Sequence, residues 1–383
     1  MNIVAPDTSI RRFYRPELDG LRFIAFMLVF LHHFPFPQNW IAHSDLLRRI
    51  HQFGWIGVDV FLVLSSYLLT SLALREIQAT GEFNIIYFFK RRILRIWPLY
   101  FLGLGIGFFV YPLVSFLAFG NAPNFWDGIK FHLLPFVFFF GNFSYPAFSE
   151  YLGRYSSLWT INLEEQFYLV LPLLVTVFLI PYQKRRVFIL CLVGLTIPVL
   201  TRTYFSFASI PYPWHWVSPV TRFDPFFIGL GAAVIDSKYQ LRGRLCYFSF
   251  CIAILLFTLI SSFPSMQFTA HNIWQLSASG LFGVSLLLAA RMPLLRSMLS
   301  AKGMIYLGKI SFGLYVYHRY LLDFFTQLAA KAGVSRDLPI AWVCLFSVCL
   351  AGTIAISAIS YKFFESYFLR KKSGVEVVQT RLI

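Results

Sequence analysis

Apolar runs near 20 residues long recur along the chain, separated by short polar stretches. From Leu21 to Phe34 nearly every position is apolar. Pro16, Glu17 and Asp19 just before that run suit the first turn of a helix, whose N-terminus favours proline and negative charge. Further runs lie near 54–74, 96–119, 158–180, 187–206, 220–236, 245–263, 272–290, 305–326 and 339–361, with the first spanning about 18–36. Helices of this length cross a hydrocarbon layer of about 30 Å. The piece 131–145 is shorter and carries Pro135, Gly141 and Asn142, so it reads as crossing or re-entrant. The stretches 37–53 and 75–95 read as loops, the second ending in the basic cluster KRRILR.

Basic residues settle the orientation. If 131–145 is re-entrant, the loops at 183–186, at Lys238, Arg242 and Arg244, and at Arg291, Arg296 and Lys302 fall on one side with both termini. Most of the 33 Lys and Arg then lie on or near that side, which the positive-inside rule makes cytoplasmic. The expected architecture is an all-α polytopic membrane protein of about ten transmembrane helices plus one short re-entrant segment. Residues 1–15 and 366–383 are expected to be cytoplasmic tails around a membrane domain at 16–365. Nothing after Tyr361 encodes a further folded unit, so a stand-alone membrane module is expected.

Composition agrees. The chain is 58% hydrophobic with 13% charged residues, against about 25% charged in ordinary soluble domains. The net charge of +16 does not point to nucleic acid, because the basic residues sit in short loops between apolar runs. It leaves room for anionic headgroups or an anionic cofactor. The five cysteines all fall in apolar segments without metal spacing to histidine, so neither a disulfide framework nor a metal site is expected. Arg11, Arg12 and Arg15 before the first run resemble a signal peptide, but PFPQNW follows instead of a small-residue cleavage site. The run is read as a retained span.

Against this apolar background a few polar residues stand out. Arg22 and His33 are eleven positions apart, close to three helical turns, so they share one face about 16 Å apart along the axis. His32 points away from that face. Ionisable groups in hydrocarbon usually face the bundle interior and mark a site. The alternative is that Arg22 snorkels to one interface and the histidines reach the other. The topology places His33, Asp59, Glu164, Glu165 and His318 at one depth, in the outer half. A carboxylate beside a histidine fixes its tautomer and suits general-base chemistry; interhelical hydrogen bonding is the plainer role. On the inner side Arg91 and Arg95 share a helix face, with Arg92 one step round. This cluster is either a positive-inside anchor or a guanidinium clamp for phosphates. No Walker pattern and no G-x-S-x-G elbow is present, and Ser65 and Ser66 read as packing residues.

These residues resemble the acyltransferase family 3 of integral membrane enzymes, which includes O-antigen and exopolysaccharide O-acetylases. The resemblance rests on RPELDGLRFIAFMLVFLHH, GWIGVDVFLVLSSYLLT, FFKRRILRIWPLY, SLWTINLEEQFYLVLPLL and LGKISFGLYVYH, which span residues 15 to 318. Arg22 and His33 look like the family's arginine, ten residues, histidine signature. Arg91, Arg92 and Arg95 look like its R-R-x-x-R motif, and Glu164 like the glutamate of W-S-L-x-x-E-x-x-F-Y. Two departures show: Ser66 and Tyr67 stand where V-L-S-G-F has Gly and Phe, and Trp159 is followed by Thr160 and Ile161.

The resemblance implies transfer of an acyl group, usually acetyl, from cytoplasmic acyl-CoA to a hydroxyl of a carbohydrate or glycolipid acceptor, in a bacterial inner membrane. On that reading His33 is the general base or an acyl relay, with Asp59 or Glu164 orienting it. Arg22, Arg91, Arg92 and Arg95 hold the acyl-CoA (acetyl-CoA). Asp19, Trp159, Tyr168 and His318 are further candidates. No metal and no nucleic acid enter; the partners are the donor, the acceptor and the lipid bilayer. The competing reading is a proton-coupled transporter or flippase, which also uses embedded His, Asp and Glu. A lipid-linked glycosyltransferase lacks its acidic metal-binding pairs here.

Overall fold

The structure is a computed structural model that describes residues 13–120, 132–144, 156–180, 183–211, 213–239, 241, 243–263, 273–334 and 338–378. Arg11, Arg12, Arg242 and residues 121–131 and 145–155 lie outside the described residues. Among the described residues every regular element is a helix.

Helix α1 spans Pro16–His33, with proline in its first turn beside Glu17 and Asp19. It stops three residues before the expected end because Phe34 turns extended ahead of Pro35, which cannot continue a helix. The stretch read as a loop at 37–53 is instead mostly helical. Its main element, α2, spans Asp45–Phe53 and is capped by the Ser44 hydroxyl accepting from the Leu47 amide at 3.2 Å. Hydrogen bonds from Arg49 and Arg48 hold the Asp45 carboxyl below the usual range. Helix α3, Ile56–Thr80, is the central post: 72% of its most apolar window is buried. It ends at Gly81, whose φ of +80° suits the residue without a Cβ.

Helix α4 runs from Ile85 to Phe119 through one π turn at Ile106–Val110. The Asn84 side chain caps it by accepting from the Tyr87 amide at 2.9 Å. The expected 75–95 loop is thus only a short turn, and KRRILR lies on the helix itself. Next comes 132–144, which folds as two four-residue helices, Leu134–Val137 and Gly141–Ser144. Neither can cross a bilayer. Their freed carbonyls are met by protein donors: Tyr100 to Phe136 O at 2.6 Å and Gln166 to Phe139 O at 2.7 Å. Irregular backbone survives at membrane depth only when satisfied in this way.

The next long helices are α5 Trp159–Leu179, α6 Lys184–Phe207, α7 Asp224–Tyr239, α8 Arg244–Ser261 and α9 Ile273–Ala289, with two four-residue helices, Trp214–Val217 and Pro219–Arg222, between α6 and α7. A 95° bend joins α9 to α10, Pro293–Leu299. Then come α11 Lys302–Lys309, α12 Ser311–Lys331 and α13 Pro339–Ser373. Among the described residues six helices are long and apolar enough to cross a membrane, or seven if the bent pair counts as one. Helices α6 and α13 bury only 28% and 17% of their apolar windows, which puts them at the periphery.

Lipid tails are as apolar as leucine, so close packing and polar contacts must hold such a bundle together. Gly308 lets α11 rest on the Asp19 carbonyl, and Gly57 lets α3 rest on the Ala25 carbonyl, so α1 is gripped from both sides. Two polar clasps add to this. At the Arg22 end of α1, Arg291 meets both Asp236 oxygens at 2.6 and 2.8 Å, and Arg15 joins at 3.1 Å. The Tyr67 hydroxyl donates to Asp236 at 2.6 Å and accepts from both arginines. Elsewhere Arg222 pairs with Asp59 at 2.6 Å and Arg202 with Asp224 at 3.0 Å, all four side chains fully or almost fully buried.

Candidate functional site

Helix α1 carries a cationic site at one end and an imidazole site at the other. At the first end Arg22 Nη1 donates to Asp19 Oδ1 at 2.9 Å, one turn back, and Tyr14 donates to the other Asp19 oxygen at 3.1 Å. Asp19 therefore positions Arg22. Arg22 lines a cleft of about 420 Å³ together with Asp19, Ser65, Arg92, Arg95 and Lys309. A second cavity of about 120 Å³ continues from it, sharing Arg22, Ser65, Arg92 and Arg95 and adding Glu164, Tyr168 and Tyr315.

The three arginines of the R-R-x-x-R stretch separate. Arg92 and Arg95, three residues apart on α4, both line the cleft. Arg91 does not: it pairs with Glu76 at 2.8 Å and donates to Val375 O at 3.3 Å. The pair that faces the cleft is thus Arg92 with Arg95, not Arg91 with Arg95. Among the described residues Arg92 makes no hydrogen bond, and its Nε is buried without a partner. A buried guanidinium edge of this kind is a ready receptor for an anion.

Glu164 sits on the inner cavity and accepts a hydrogen bond from Tyr168, whose hydroxyl also meets Ser65. Ser65 is therefore more than a packing residue, whereas Ser66 donates to Phe226 O and packs α3 onto α7. Glu165 points elsewhere and accepts from Trp97 at 3.1 Å. Trp159 is buried, its ring 6.2 Å from that of Trp216.

At the far end of α1, His33 Nδ1 lies 3.0 Å from His318 Nε2. The two histidines expected at one depth do meet. Asp59 and Glu164 do not join them. The partners of Asp59 are Arg222 and the Ser279 hydroxyl, and that of Glu164 is Tyr168. Their helices turn these two carboxylates to other partners. The orienting group for His33 is instead His318, and the tautomers follow from the carbonyls. His318 Nδ1 is 2.7 Å from Tyr315 O, which can only accept, so that nitrogen carries the proton. With no carboxylate on either ring among the described residues, a full charge there would be costly, so His318 Nε2 is the acceptor. His33 Nδ1 must then donate to it. His33 Nε2 is left with its lone pair, makes no hydrogen bond among the described residues, and is not occluded. His32 belongs to a different set: its Nδ1 donates to His51 O at 2.6 Å, and His51 Nδ1 returns to Leu31 O at 3.2 Å.

Tyr315 links the two ends. It lines the inner cavity, its hydroxyl meets Thr160 at 2.7 Å, and its ring is 5.6 Å from His318. Tyr315, Ser65 and Lys309 had no signal of their own in the sequence. No group of metal-ligand side chains occurs among the described residues.

Comparison with known proteins agrees with the motifs. Two relatives, both called O-acetyltransferase OatA, come from Staphylococcus aureus strains NCTC 8325 / PS 47 and COL. Each is 24% identical over 380 residues, covering 94% of this chain and 58% of the relative. The chain thus spans rather less than two thirds of the length of the curated relatives it matches. No solved structure matches it. Residues 15–362 match the acyltransferase domain that defines acyltransferase family 3, and the chain belongs to that family.

Proposed function

We propose that this protein is a membrane O-acyltransferase with about ten crossings, one re-entrant segment at 132–144 and both termini in the cytoplasm of a bacterium, in whose inner membrane it lies. It takes an acyl group, acetyl in the simplest case, from cytoplasmic acyl-CoA. It places that group on a hydroxyl of a glycan or glycolipid at the outer side. The observation that carries this reading is the division of labour along α1. One end offers Arg22 to an arginine-lined cleft. The other offers a histidine with Nδ1 engaged and Nε2 open. About three helical turns separate them, which calls for a donor with a long arm between its phosphates and its reacting carbonyl.

In the reaction His33 Nε2 takes the acceptor hydroxyl proton as the oxygen attacks the thioester carbonyl. The tetrahedral intermediate collapses with cleavage of the C–S bond. The departing thiolate receives the proton back from Nε2, so no net proton is released. Arg92 and Arg95 hold the donor phosphates, and Arg22 adds positive potential along the arm. Glu164, fixed by Tyr168, aligns the cleft wall beside Arg92. His318 acts through His33 as a positioning residue. The transporter reading has less support. The buried Asp59 it would use for proton coupling is committed to Arg222 and Ser279.

The test is acetyl-CoA consumption by the purified protein in detergent, with His33→Ala beside wild type. Loss of a general base costs about 10²–10⁴-fold in turnover while donor binding persists. Turnover at the wild-type rate by His33→Ala, or failure of the wild type to bind acetyl-CoA, refutes the proposal.

A further inference from the structure

The residues that match the family end at 362, yet the chain beyond them builds one wall of the larger cleft. Ser366, Leu369, Arg370, Lys372, Ser373 and Glu376 all line it, together with Arg92 and Arg95. This wall is anchored. Arg91 holds it by donating to Val375 O at 3.3 Å, and Val378 is 5% exposed within the main hydrophobic core. Lys372 Nζ meets Glu376 at 2.5 Å, with side-chain exposures of only 15% and 7%. Of the charged side chains on the cleft, seven are cationic and two are carboxylates. Asp19 is committed to Arg22, and Glu376 to Lys372. Four of the seven cations come as two pairs from different helices, Arg92 with Arg95 on α4 and Arg370 with Lys372 on α13.

A donor with a single phosphate cluster needs only one such group. We propose that Arg370 and Lys372 form a second phosphate subsite, for a phosphate monoester set apart from the diphosphate that Arg92 and Arg95 hold. The ligand class is a 3′-phosphorylated adenosine diphosphate, the nucleotide end of acyl-CoA. Glu376 is the carboxylate that the monoester displaces from Lys372. The inference rests on the acyl-CoA reading given above and adds to it a residue-level account of donor discrimination by a segment outside the family match.

The experiment is steady-state kinetics of the full chain in detergent with acetyl-CoA and with 3′-dephospho-acetyl-CoA, for wild type, Lys372→Gln, Arg370→Gln and Glu376→Gln. Charge-assisted hydrogen bonds of this kind predict that wild type has a KM about 10-fold higher for the dephospho donor. Lys372→Gln and Arg370→Gln should raise KM for acetyl-CoA several-fold, leave kcat and the dephospho KM unchanged, and so erase the discrimination. Glu376→Gln should lower KM for acetyl-CoA alone. If wild type uses both donors equally well, or if the variants raise both KM values alike, the subsite is overturned while the acyl-CoA reading stands. If wild type neither binds nor turns over either donor, both fall.

Discussion

Replacing Asp59 with alanine tests whether that residue serves the bundle or the chemistry. Arg222 and Asp59 are both 0% exposed and meet at 2.6 Å. Arg222 Nε and Nη1 are buried without partners, so Asp59 supplies the counter-charge of that guanidinium. Among the described residues its loss leaves a buried cation with the Trp216 ring, 4.7 Å away, for which about 2 kcal/mol is a generous figure. Breaking a buried pair from one side costs about 3–5 kcal/mol, a large share of the roughly 5–15 kcal/mol that holds a typical domain. Asp59→Ala should therefore unfold at markedly lower temperature in detergent, and its activity should fall in step with the folded fraction. The double variant Asp59→Leu/Arg222→Met removes both charges and should recover most of the stability, because an apolar replacement of a buried pair is often neutral. It should also recover turnover. A double variant that is stable yet inactive would refute the structural role and return Asp59 to the chemistry. A single variant within about 1 kcal/mol of wild type would refute the magnitude.

Four further outcomes follow from the geometry. His318→Ala should cut kcat by about 10²-fold with donor binding intact; His318→Gln, whose amide oxygen can still accept from His33 Nδ1, should lose less, and pre-steady-state turnover separates the two. Arg92→Ala should weaken acetyl-CoA binding about 10-fold or more by calorimetry. Arg91→Ala should instead lower the Tm, since its partners are Glu76 and Val375. Gly308→Ala drives a methyl into the Asp19 carbonyl and should cost about 1–3 kcal/mol in thermal unfolding, whereas Gly303→Ala, with open space around it, should be silent.

Much of the bundle was readable because hydrophobic length is a one-dimensional signal. The runs at 158–180 and 187–206 return as Trp159–Leu179 and Lys184–Phe207. The polar stretches were read less well. KRRILR looked like loop because its charges masked a helix that Asn84 starts ahead of them. In the site, the Arg22 and His33 spacing and the meeting of His33 with His318 followed from helix period and depth. Depth is only one coordinate, however. Asp59 sits on a helix face that meets Arg222, 163 residues away, and nothing local announces which way it points. The same holds for Arg91, whose partner Val375 lies 284 residues on. The departures at Ser66 and Tyr67 are each matched by a polar contact, to Phe226 O and to Asp236, that glycine and phenylalanine side chains lack.

The clasp of Arg15, Tyr67, Asp236 and Arg291 has a consequence for how the protein is made. Arg15 and Asp236 are 221 residues apart, and Arg291 follows Asp236 by another 55. At about 5–20 residues per second, Arg15 emerges roughly 10–45 s before its carboxylate partner is synthesised. During that interval the first helix must lean on water and headgroups. Arg15 also lines the larger cleft, so that wall takes its final form only when the later helices have been inserted. A nascent chain stalled before α7 would carry both ends of α1 but no finished cleft, and its unpaired arginine would mark it as incomplete to the machinery that clears unassembled membrane proteins.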